Sequence, residues 1–175
     1  KAMRDKWVNR FEMVMFFRNY ITQFLINVIV GFPVVYVNLE GAPKAGLILW
    51  LGFVVWVVGF FFEAVGDEQL RRFKARPESK GRLMTEGLWA WTRHPNYFGD
   101  ATMWWGIYLM SLSGDSGRAW LVFSPLLMTF MLLYVSGVPL LEKKYEGRAD
   151  WAAYTRRTSK FFPRPPRGES NSGKL

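Results

Sequence analysis

The sequence predicts an all-α, polytopic membrane helix bundle. Three observations carry this. Half of the 175 residues are apolar, with fifteen Phe, nine Trp and seven Tyr. The 23 Lys+Arg and 14 Asp+Glu are segregated into blocks between apolar runs. One run, AGLILWLGFVVWVVGFFF at 45–62, contains no charge at all. Its length is about the minimum that crosses a bilayer core at ~1.5 Å per helical residue. Backbone groups in lipid must be satisfied within the segment, so each run is read as a helix.

About four transmembrane helices are expected in this chain. The first covers roughly Met13–Val37, weakened by Arg18 and Asn19. The second is Ala45–Phe62. The third, Tyr97–Leu112, is Trp-rich and carries Asp100 in its first turn. The fourth, Trp120–Leu141, is interrupted by Pro125 and Pro139. An interfacial loop at 63–96 and a tail helix complete the reading. Residues 1–165 form one domain, with N-terminal helices expected to be missing, and the Pro/Gly/Ser-rich 166–175 is expected to be disordered.

Cations sort by side. Four lie in residues 1–10, seven in 63–96 and nine after Glu142, against one each in the loops 38–44 and 113–118. The positive-inside rule then puts both termini and the 63–96 loop in the cytoplasm. The net charge of +9 would also suit nucleic acid. Clustering of the basic residues beside apolar spans argues instead for interfacial anchors, and no nucleic-acid partner is expected. The chain has no cysteine and one histidine. Disulfides, thiolate chemistry and a multi-histidine metal site are thereby excluded, and no metal is expected.

The residues that could carry chemistry fall in four places. If the second helix continues past Phe62, Asp67, Arg71 and Lys74 share a face at i, i+4 and i+7. They form either a solvated helix end or, with Arg82, a site for an anionic ligand or lipid headgroup. In RHPNYFGD, Pro95 suits the first position of a helix, with His94 or Asn96 as its cap. The free N–H groups there favour an anion. Asp100, a carboxylate within a membrane helix, marks a functional site, and Glu63 raises the same question. Tyr20, Gln23 and Asn27 share one face of the first span, as helix–helix glue or the wall of a polar substrate pocket. Glu142 directly follows the last span, and Tyr154, Arg157 and Thr158 fall in an amphipathic stretch.

Taken together, GLWAWTRHPNYFGDATMWWG, LLEKKY…DWAAYTRRTSKFFPRPP and the opening RDKWVNRF, with Gln23 and Pro33, resemble the steroid 5-alpha-reductase-like membrane family. The nearest branch is bacterial and largely uncharacterised, which implies a bacterial inner membrane. The resemblance implies that the protein binds NADPH from the cytoplasmic side and reduces a C=C bond conjugated to a carbonyl in a hydrophobic, lipid-like or steroid-like substrate. Carried over by position, Asp67, Arg71, Lys74, Arg82, Asn96 and Asp100 hold the cofactor, joined by His94, Tyr97 and Glu142. Lys74 replaces an arginine, Glu63 an asparagine and Lys143 a histidine of the steroid enzymes. The proton donor is expected in the N-terminal helices. RHPNYFG also resembles an element of isoprenylcysteine and phospholipid methyltransferases. That likeness implies the alternative, S-adenosylmethionine held by His94 and Glu142, with Tyr97 packed on it.

Overall fold

A computed structural model describes residues 11–41 and 43–166. Every regular element among the described residues is helical, with no strand. The opening stretch RDKWVNRF up to Arg10, and the tail from Arg167, lie outside them.

The first rod begins as α1 (Phe11–Met15), passes through a π-helical stretch (Phe16–Ile21) and continues as α2 (Thr22–Glu40). Arg18 and Asn19, the polar interruption seen in the sequence, fall within the π stretch. Helix α3 runs Leu47–Ala75, well beyond the apolar run. A short α4 (Leu88–Trp91) leads into α5 (Pro95–Ser111). The last rod is composite: a 3-10 stretch (Ser116–Val122), α6 (Phe123–Phe130), a π stretch (Met131–Val135) and α7 (Val138–Lys143). Pro125 lies in the first turn of α6 and Pro139 in the first turn of α7, where a missing N–H costs least. The interruption therefore falls at Ser136 and Gly137 rather than at the prolines themselves. Helix α8 (Ala149–Arg157) closes the described chain.

Three rods are long and apolar enough to cross a membrane: Met13–Glu40, Leu47–Ala75 and Ser116–Lys143. They display their large apolar side chains outward, including Phe24, Leu47, Trp50 and Phe60, each more than half exposed. That arrangement suits lipid as the surrounding solvent, and the chain is a helical membrane protein. Helix α5 has 17 residues, about 25 Å at the helical rise. It lies antiparallel along α3 and so shares its depth.

Glycine makes that pairing close. Gly52, Gly59 and Gly66 recur every seventh residue on α3, which places them on one stripe. Gly99 and Gly106 do the same on α5. A Cβ at Gly52 would lie 2.8 Å from the Gly106 carbonyl oxygen, and one at Gly99 would lie 2.5 Å from that of Gly59. The two backbones touch, the arrangement small residues permit between membrane helices.

Each end of the bundle is tied. At one end Ser113 Oγ donates to the Lys44 carbonyl at 2.6 Å, and the Lys44 N–H returns to the Ser113 carbonyl at 3.2 Å. Arg118, buried, donates to the Gly41 and Ser111 carbonyls. At the other end the segment after α8 is strapped beside the α4–α5 turn. The Arg93 N–H donates to the Ser159 carbonyl, the Arg164 N–H to that of Trp91, and Thr92 Oγ1 to that of Phe161. Phe161 and Phe162 then pack edge-on against Phe98 of α5. This strapped end carries the site.

Candidate functional site

The site is built around the turn Thr92–Arg93–His94. Pro95 opens α5, and His94 stands at the N-cap position with non-helical backbone. Its imidazole does not cap the helix, however. It turns away, with Nε2 3.0 Å from Glu142 Oε1. A carboxylate oxygen only accepts, so Nε2 carries the proton. The ring is almost fully buried and lies parallel to Tyr97, with centroids 5.6 Å apart. Asn96 does not cap either. Its Oδ1 accepts from the Tyr97 N–H.

The Arg93 side chain is mostly buried and ties several elements together. Its Nε donates to the same Glu142 Oε1 at 2.9 Å, and its Nη1 donates to the Thr155 and Thr158 carbonyls at the end of α8. The guanidinium also lies over Trp151, 5.5 Å from the ring centroid. One arginine thus joins α7, α8 and the turn before α5. Tyr154 adds a second tie, donating its buried hydroxyl to the Trp89 carbonyl. Burial pushes that hydroxyl far above the usual tyrosine range.

These groups border a cavity of about 500 Å³. Its walls come from the end of α3 (Leu70, Phe73, Lys74), the 76–84 loop, Trp89, Arg93, His94, the end of α7 and α8. Lys74, Arg76, Lys80, Arg82 and Lys144 all line it. None of these five makes an ion pair among the described residues. Glu142 is the one carboxylate in the lining. The cavity therefore has a large surplus of positive charge set on mostly apolar walls, which suits an anionic ligand.

Of the residues singled out in the sequence, Lys74, Arg82, His94, Glu142 and Tyr154 meet at this cavity. Arg71 does not. It is exposed and bound bidentate to Glu68, which also takes Arg72. Arg71 thus pairs with Glu68 and not with Asp67, which shares its helix face. Asp67 faces α5 instead and accepts from Asn96 Nδ2 at 2.9 Å. Asn96, Tyr97 and Asp100, with Asp67, form a second polar group along the α3–α5 pair. Asp100 is bonded by the Trp104 side chain, and Glu63 lies within electrostatic reach of both Asp67 and Asp100. No group of His, Asp and Glu among the described residues is placed to hold a metal ion. Tyr20, Gln23 and Asn27 are exposed on the first rod, where Gln23 donates to Asn27 at 3.1 Å.

Sequence reasoning missed Arg76, Lys80 and Lys144 as lining cations. By sequence they read only as interfacial anchors. It also missed Arg93 as the linchpin, because its partners lie 49 to 65 residues away. A usable signal was present in the turn SKGR, where Gly81 takes the left-handed φ of +79° between Lys80 and Arg82, both of which line the cavity.

Comparisons with known proteins agree with a broad family assignment and little more. The chain is 25% identical over 185 residues to a Schizosaccharomyces pombe protein described as "Uncharacterized protein C594.04c", covering 94% of this chain. It spans about half of that relative's length, 53%. A shorter stretch of 57 residues, 33% of this chain, is 39% identical to 20% of an Ustilaginoidea virens protein described as "Probable O-methyltransferase ustE". No solved structure matches. Residues 1–158 match the family described as "Protein of unknown function (DUF1295)", and the chain belongs to it.

Proposed function

We propose that this chain is the cofactor-binding part of a membrane-embedded, NADPH-dependent reductase. Its substrate class is a C=C bond conjugated to a carbonyl in a lipid-like or steroid-like molecule. One observation carries the reading: five cations without ion-pair partners among the described residues converge on a single cavity. A dinucleotide phosphate needs such a set, and Lys74, Arg76, Lys80, Arg82 and Lys144 would supply it. Bound there, the cofactor supplies hydride; the protein binds and orients it and keeps water from the reacting atoms. Arg93 holds the α8 wall of the cavity closed through its carbonyl bonds. His94, fixed by Glu142, sets the start of α5 and keeps Tyr97 stacked on its ring. The second polar group, Asp67, Asn96, Tyr97 and Asp100, is assigned to the rest of the same cofactor. By the positive-inside rule the cavity end faces the cytoplasm.

Fluorescence titration with NADPH of the purified protein in detergent tests this. Lys74→Ala and Arg82→Ala should each weaken binding about five- to tenfold and flatten its salt dependence. Arg71→Ala, whose guanidinium is bound to Glu68, should leave it unchanged. Equal effects of all three substitutions would sink the assignment.

A second reading is a methyltransferase using S-adenosylmethionine. The 57-residue likeness to a protein described as a probable O-methyltransferase favours it, as does the His94–Glu142 contact. The surplus of cavity cations weighs against it, because S-adenosylmethionine carries no phosphate and is itself a cation at sulfur.

A further inference from the structure

Glu142 is out of place in a cavity designed only for phosphate. It is the single carboxylate among the lining residues, and it would repel a bare anion. Its geometry is also one-sided. Arg93 Nε and His94 Nε2 both donate to the same oxygen, Oε1, at 2.9 and 3.0 Å. Oε2 receives no hydrogen bond from any described residue, and the side chain is 21% exposed. The carboxylate is thus anchored through one oxygen and presents the other. A carboxylate oxygen accepts only, so its partner is an N–H or O–H donor.

An aromatic pair, Tyr145 and Trp151, links the Lys80–Arg82 turn to Arg93 and Glu142. Arg148 donates to the Gly81 carbonyl at 2.8 Å and lies over the Tyr145 ring. Tyr145 stacks on Trp151 with centroids 5.2 Å apart, and Arg93 lies over Trp151. The chain of contacts runs from the Lys80–Arg82 turn, through Tyr145 and Trp151, to Arg93 and Glu142. Lys80 and Arg82, without ion-pair partners among the described residues, stand at the start of this chain of contacts and Glu142 at its end, with Lys144 over the Tyr145 ring between them.

We infer that Glu142 Oε2 is an acceptor subsite that reads an N–H or O–H donor on a phosphate-bearing ligand and so fixes which way round that ligand lies. The phosphates lie toward Lys80 and Arg82. A carboxamide or sugar hydroxyl lies on Glu142. The inference deepens the NADPH reading and rests on it.

Calorimetric titration of the whole chain with NADPH and, separately, with inorganic pyrophosphate tests this. Pyrophosphate carries neither a carboxamide nor a sugar hydroxyl, so it samples the cations without the group assigned to Glu142. In Glu142→Gln, the amide oxygen is held by Arg93 and His94, and the NH₂ group takes the place of Oε2, donor against donor. NADPH affinity should fall about tenfold while pyrophosphate affinity stays level or rises. Unchanged NADPH affinity in Glu142→Gln would overturn the acceptor subsite and leave the reductase reading standing. Wild-type protein that binds pyrophosphate but not NADPH, or S-adenosylmethionine instead of NADPH, would overturn both. Should Glu142→Gln bind neither ligand, Glu142→Asp decides, because it keeps the charge for Arg93 and withdraws the carboxylate by one methylene. Selective loss of NADPH there supports the subsite; equal loss of both ligands, or of neither, overturns it.

Discussion

Replacing Gly99 by alanine tests the backbone contact that sets α5 against α3. The added Cβ would lie 2.4 Å from the Glu63 backbone nitrogen and 2.5 Å from the Gly59 carbonyl oxygen. Carbon at rest keeps about 3.5 Å from such atoms. The two helices must therefore part by about 1 Å along this stripe, since neither contact belongs to a side chain that can rotate away. A gap of that size forfeits a quarter to a half of each nearby contact. Overpacking of this kind costs about 1–3 kcal/mol, and the rigid neighbours place Gly99→Ala toward the upper end. Alanine's better helix propensity returns up to about 1 kcal/mol. The net loss is about 1–2 kcal/mol, or roughly 3–6 °C in Tm for a chain of this size. Gly31 is the control. It lies in α2, and a Cβ there meets nothing within 4 Å. Gly31→Ala should be neutral or stabilising by about 0.5–1 kcal/mol. Thermal unfolding of both variants in the same detergent measures the difference. Equal Tm values for Gly99→Ala and Gly31→Ala would refute the close-packed stripe.

Two further predictions concern the strapped end. Arg93→Ala leaves Glu142 without its buried cation and frees two carbonyls of α8, which should cost about 3 kcal/mol in unfolding measurements. Arg93→Lys should recover only part, because an ammonium cannot bridge α7 and α8 as the guanidinium fork does. Tyr154→Phe removes the donor to the Trp89 carbonyl and should cost about 1–3 kcal/mol at neutral pH. It should also change the alkaline limb. The buried hydroxyl is held neutral, so the native pKa stands above the unfolded value of about 10. That contribution is complete below pH ~10 and is lost as pH rises toward the native value. Wild-type Tm should then fall more steeply above pH ~10 than that of Tyr154→Phe, and parallel curves would contradict the assignment.

The helix class and three of the four expected spans were legible because lipid leaves a chain few options: apolar runs of the right length, bounded by charge, must be helical; the expected span Tyr97–Leu112 is a helix of 17 residues, shorter than the three. Pro95 likewise announced the start of α5. The site was only half legible, for reasons that particular residues make plain. Spacing put Asp67 on the face of Arg71 at i, i+4, but Glu68, three residues before Arg71, offers it both carboxylate oxygens. Gly66 lets Pro95 and Asn96 approach α3, which draws Asp67 toward Asn96 instead. The His94–Glu142–Arg93 cluster joins residues 48 and 49 positions apart, beyond any local period. The glycine stripe was readable as a seven-residue repeat on both α3 and α5, yet its meaning depends on knowing that the two helices are neighbours.

The central claim is that the cationic cavity holds a phosphate-bearing dinucleotide. Calorimetric titration of the wild-type protein with NADPH and with S-adenosylmethionine, side by side, tests it most directly. The account predicts saturable NADPH binding that weakens with salt, and no S-adenosylmethionine binding. Binding of S-adenosylmethionine without NADPH would contradict it and make the His94–Glu142 pair the core of a methyl-donor site.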